Sequence, residues 1–212
     1  MKKFIQTILL FILALPFAEA QRFIPKFKRL NTNDGLSQGH VVAILKDAKG
    51  FMWFGTDEGL NKYDGYRFKV YKSDPDDTTS LSNSFVFDVK EDRSGRLWVA
   101  TAGGLDLFDR KNDNFIHYGS PGKGSARTIF QDSRANIWIG TADGLFKLDE
   151  KTKKFKKYVH RDTDSTSISN DFIYRVVEDK QGRLWIATKD GLNLFNPKTE
   201  VFSCFRAGSY NT

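Results

Sequence analysis

At 212 residues the chain has material for one domain, or one and part of another, which leaves no room for a receptor joined to an enzyme. With 40% hydrophobic and 14% aromatic residues it can bury a sizeable core, and its net charge of +7 fits a solvated surface or affinity for anionic glycans better than a nucleic-acid footprint. A single cysteine, Cys204, and three separated histidines, His40, His117 and His160, argue against an intramolecular disulfide and against a Cys-rich or His-only metal site.

The chain opens MKKFIQTILLFILALPFAEA: two lysines, an apolar run from Phe4 to Phe17, then Ala18-Glu19-Ala20. A basic start, a short apolar stretch and a small-x-small site predict a secretory signal peptide over residues 1–20, cut between Ala20 and Gln21. A membrane anchor competes with that reading, but the run falls short of the ~20 residues a span needs, and Pro16 sits near its end. Export places the mature chain, at about +6, in the periplasm or another extracytoplasmic space, where no nucleic-acid partner is expected. Next comes Phe27-Lys28-Arg29-Leu30, which reads as a lone leading strand able to close a ring by completing its last blade.

From residue 40 onward the chain repeats. All four tryptophans fall in one phrase: Asp47-AKGFMWFGTDEGL, Asp92-RSGRLWVATAGGL, Asp132-SRANIWIGTADGL and Asp179-KQGRLWIATKDGL. Trp53, Trp98, Trp138 and Trp185 lie 45, 40 and 47 residues apart, a period shared by helical pairs and four-stranded propeller blades. Residue type separates the two. Each unit begins with β-branched and aromatic alternation (Val41 to Leu45, Phe85 to Val89, Ile129-Phe130, Phe172 to Val177) and turns through Asp-x-x-Gly. The third copy has Ala135 for that glycine, so a looser turn is expected there. The Trp strand follows, then a short turn ending at Gly59, Gly104, Gly144 or Gly191. A third strand and a Phe-x-x-aromatic fourth strand complete each unit. The expectation is an all-β propeller of four meander blades, near 40–71, 84–118, 125–158 and 171–205, with the tryptophans and those glycines as structural residues.

The phrase D-x-x-G-x-L-W-[IV]-[GA]-T-x-x-G-L-x-x-[YF]-[DN] resembles the regulator-propeller repeat in the sensor half of Bacteroidetes-type hybrid two-component systems, over essentially all of residues 27–206. The resemblance implies an open portion of a seven-bladed periplasmic propeller. It also implies a receptor whose further blades and downstream kinase modules lie outside this sequence, with an oligosaccharide ligand and a homodimeric arrangement. A secreted propeller acting as a protein-interaction scaffold is the alternative.

No kinase, Walker, HExxH or nucleophile-elbow motif occurs, so no enzyme and no cofactor are expected. The turns between second and third strands carry the candidate ligand residues: Asp57 and Glu58, Asp143, Lys189 and Asp190. Charged tips can hydrogen-bond sugar hydroxyls, although surface turns favour such residues anyway.

Overall fold

A computed structural model describes residues 26–122 and 125–206. The signal peptide and its cleavage site lie outside the described residues. Among the described residues, apart from one 3₁₀ turn at Thr32–Asp34, the regular structure is sixteen strands in four antiparallel sheets. The first sheet holds β1 (Val41–Lys46), β2 (Met52–Thr56), β3 (Gly59–Tyr63) and β4 (Phe68–Tyr71), and the second β5 (Val86–Glu91), β6 (Leu97–Thr101), β7 (Gly104–Asp109) and β8 (Asn114–Gly119). The third holds β9 (Thr128–Gln131), β10 (Ile137–Gly140), β11 (Leu145–Asp149) and β12 (Lys154–Tyr158); the fourth holds β13 (Ile173–Glu178), β14 (Leu184–Thr188), β15 (Gly191–Asn196) and β16 (Val201–Phe205). Every sheet is a simple meander. The sheets pack in succession, β1 against β5, β5 against β9 and β9 against β13, so the first strands line the inner edge of an arc that does not close.

Phe27–Leu30, expected as a strand, is not one. Each of the four sheets already owns its fourth strand, and Phe27 is 91% exposed.

Three apolar clusters fill the three spaces between neighbouring sheets, and one tryptophan sits in each: Trp53, Trp98 and Trp138. Each points toward the following sheet. Trp53 meets Phe108 edge-on at 5.0 Å, and Trp138 meets Phe195 at 5.2 Å. Burying an indole this way removes roughly 150–250 Å² from water. Trp185 faces outward from the fourth sheet, half-buried beneath Phe205 and the Arg183 guanidinium.

The Asp opening each Trp phrase has two tasks. One oxygen accepts the turn amides, as Asp47 does from Lys49 and Phe51. The other accepts the indole N–H of the Trp six residues on, at 2.9 Å for Asp47, Asp92 and Asp132 and 2.8 Å for Asp179. Burial works to raise the Asp47 and Asp92 carboxyls, but hydrogen bonds from the indoles, from Arg110 or Arg96 and from the turn amides hold both below the usual range. Contrary to expectation, the third turn is no looser. Ala135 N–H reaches Asp132 O at 3.0 Å like its glycine counterparts, with Ala135 at φ 64°, because the Asp132 carboxylate grips the amides of Arg134 and Asn136.

A second device ties sheet to sheet. The residue just before that Asp reaches back to the preceding turn: Glu91 accepts from Ala48 N–H, Gln131 from Arg93 N–H and Glu178 from Ser133 N–H, at 2.7, 2.9 and 2.7 Å. Arg110 adds a clamp on Asp47 and Glu91, and Arg96 one on Asp92 and Glu150.

Candidate functional site

The four turns between second and third strands are one structure repeated. In each, the Thr hydroxyl donates to the Gly carbonyl three residues on and accepts the amide two residues on, as in Thr56, Gly59 and Glu58. Gly59, Gly104, Gly144 and Gly191 have φ between 131° and 137°, and a Cβ on Gly59 would stand 2.6 Å from the Tyr71 carbonyl. Glycine is the residue that fits.

On this scaffold the predicted ligand residues lie at three of the four turns, and four of them are engaged near their own turn. Asp57 pairs with His40 Nδ1 at 2.9 Å, Glu58 with Lys72 at 3.6 Å and Asp143 with Lys157 at 2.9 Å. Asp190 accepts the Asn170 amide at 2.8 Å, and Lys189 is exposed.

What converges is a row on the inner strands at the same end. Phe85 and Phe172 carbonyls accept the amides of Ala102 and Lys189, and Arg127 N–H reaches Gly140 O, which places all three beside the turns just described. Phe85 and Phe87 meet as tilted rings with centroids 4.5 Å apart, and Phe172 and Tyr174 likewise at 5.1 Å. The Arg127 guanidinium lies between the pairs, 4.9 Å from Phe87 and 5.0 Å from Phe172. The ladders of sheets two and four shift register at Phe87 and Tyr174, and such bulges re-aim a side chain. The visible signal was aromatic pairing at i, i+2 in both first strands.

Behind the turns, each of three sheets braces the preceding linker with a buried third-strand residue. Asn61 and Asn193 accept the amides of Ser37 and Ser169 and donate to the hydroxyls of the same serines. Asp106 takes this place in the second sheet, where one oxygen accepts both the amide and the hydroxyl of Ser82. Its Oδ1 has no hydrogen-bond partner among the described residues, and His117 Nε2 faces it at 3.9 Å. Burial raises this carboxyl against the lowering effect of the serine bonds and the imidazole.

Residues 35–58, 80–103 and 167–190 match the family model for the two-component regulator propeller. The unmatched third unit is the one with Ala135, and with Phe146 where the others carry Asn61, Asp106 or Asn193. A 56-residue stretch is 50% identical to Histidine kinase P4 of Formosa agariphila, covering 26% of this chain and 4% of the kinase. Two solved extracellular domains described as belonging to hybrid two-component systems of B. thetaiotaomicron are similar over most of this chain. That of BT3049 is 26% identical with TM-score 0.58 over 83% of this chain and 31% of its own; that of BT4673 is 25% identical with TM-score 0.66 over 78% and 25%. The chain therefore spans less than a third of the length of these relatives. Among the described residues no helix is long and apolar enough to cross a membrane.

Proposed function

We propose, from the premise that this chain is built of two-component regulator propeller repeats, that it forms an extracytoplasmic ligand-sensing region of a signal-transduction receptor and that its ligand is an oligosaccharide. The observation that carries the reading is the likeness, in sequence and fold together, to extracellular domains of hybrid two-component systems. The secretory character of residues 1–20 supports it. In the complete receptor the binding face is the turn end of the arc, with Asp57, Glu58, Asp143, Lys189 and Asp190 contributing hydrogen bonds to sugar hydroxyls. Binding biases a dimeric arrangement read by a downstream kinase. That requires unequal affinity for the two receptor states, because a ligand held equally by both shifts neither.

Calorimetric titration of the extracellular region containing this chain against a glycan panel tests the reading. The expected result is saccharide binding that weakens at least tenfold when the five residues are changed together to Ala. Unchanged affinity would remove the turn tips from the site, and silence across the panel would return the chain to a protein-interaction scaffold.

A further inference from the structure

Arg127 is the unusual member of the inner row. Arg96, Arg110 and Arg183 each close on a carboxylate at 2.9 Å or less, whereas no ion pair and no side-chain hydrogen bond engages Arg127 among the described residues. Asp88, on the adjoining strand, is spent elsewhere: its carboxylate accepts Ile129 N–H at 2.9 Å and the Thr128 hydroxyl at 3.3 Å. A guanidinium held between two rings is fixed in place with its cation still uncompensated and its N–H donors unused. Holding it costs side-chain entropy, and the rings return part of that through cation–π attraction.

The row spans three sheets. Phe85 and Phe87 stand on one side, Phe172 and Tyr174 on the other, with Tyr174 58% exposed. Two register shifts turn aromatic residues out of the ladder at this row, and the first sheet repeats the shift at Val42. Flat apolar faces flanking a fixed, unpaired guanidinium complement a molecule with apolar ring faces and an oxyanion at its edge. Pyranoses present C–H faces to aromatic rings, and a carboxylate or sulfate accepts two parallel N–H bonds from arginine.

We propose that Phe85, Phe87, Arg127, Phe172 and Tyr174 form a subsite for an acidic saccharide, with the rings against the sugar faces and Arg127 on a carboxylate or sulfate oxyanion. The inference rests on the saccharide-sensing reading and adds to it the charge of the ligand and the residue that selects it.

The test is calorimetric titration of the full chain with three probes: tetragalacturonate, a sulfated carrageenan tetrasaccharide and maltotetraose. Tighter binding of either acidic probe is expected, and which one binds separates carboxylate from sulfate. Arg127→Met is expected to weaken that probe at least tenfold, with Arg127→Lys intermediate, since a lysine keeps the charge but loses the planar fork. Unchanged urea midpoints verify that the variants are folded. Ring-current upfield shifts of sugar C–H protons should accompany binding and diminish in Phe87→Leu. Equal affinity in Arg127→Met, or maltotetraose binding as well as the acidic probes, would overturn the subsite and leave saccharide sensing standing. Failure of all three probes to bind would overturn the subsite, and the glycan panel on the whole extracellular region decides saccharide sensing separately.

Discussion

Asp106 shows what one atom can decide. In the first and fourth sheets the equivalent asparagines place an NH₂ group toward strand carbonyls: Asn61 reaches Phe54 and Gly59, and Asn193 reaches Ile186. Asp106 puts an unpartnered oxygen, Oδ1, in that position, so an added proton gives the site the donor its sisters have. The folded state therefore holds this proton more tightly than the unfolded chain, whose carboxyl sits near 3.8. Stability linked to it is greatest at acid pH and declines as pH rises through the raised folded value, where a buried group must ionise with only His117 facing it. Asp106→Asn supplies the donor permanently. It is expected to gain about 1 kcal/mol near neutral pH, with the gain shrinking toward pH about 4. Urea unfolding at several pH values measures this; a destabilised variant at neutral pH would refute it.

At the scale of strands and turns, the contact from Glu178 to Ser133 is the test of how sheets are joined. Its carboxylate accepts both the amide and the hydroxyl of Ser133 at 2.7 Å. Glu178→Ala is expected to cost about 1–2 kcal/mol, and Glu178→Gln much less, because Gln131 makes the equivalent bond between sheets two and three. Equal losses in both variants, by urea unfolding, would show that charge rather than an acceptor oxygen matters. This contact was not legible in the sequence: Glu91, Gln131 and Glu178 share only a position, and their partners lie about forty residues away on another sheet. The meander was legible, since the Trp phrase, the x-x-Gly turn and the Phe-x-x-aromatic strand each announce a local geometry. The indole bond to Asp was masked because the turn already accounted for that residue. The inner row was hidden for a different reason: a bulge leaves no trace in residue type, and Phe85, Phe87, Phe172 and Tyr174 serve equally well as ordinary strand residues. Phe27–Leu30 misled in the opposite direction, since a strand-like phrase does not make a strand without an edge to pair with.

At the scale of the whole arc, two unlike faces are uncovered among the described residues. The first sheet presents Ile44, 63% exposed, beside the partly buried Phe54 and Phe68, and the fourth presents Val177, Trp185 and Phe205. These are the front and back of the same repeating contact, so one copy can continue another head to tail. Sedimentation velocity is expected to show association that grows with concentration and is lost in the double variant Val177→Lys, Phe205→Lys. A chain that stays monomeric at high concentration would refute this. The backward reach of Glu91, Gln131 and Glu178 also gives the molecule a direction in time. Synthesis delivers the N-terminal sheet first. In each of these contacts the earlier sheet supplies the turn amide and the later sheet the acceptor. The backward contacts therefore form in the order in which the sheets are made.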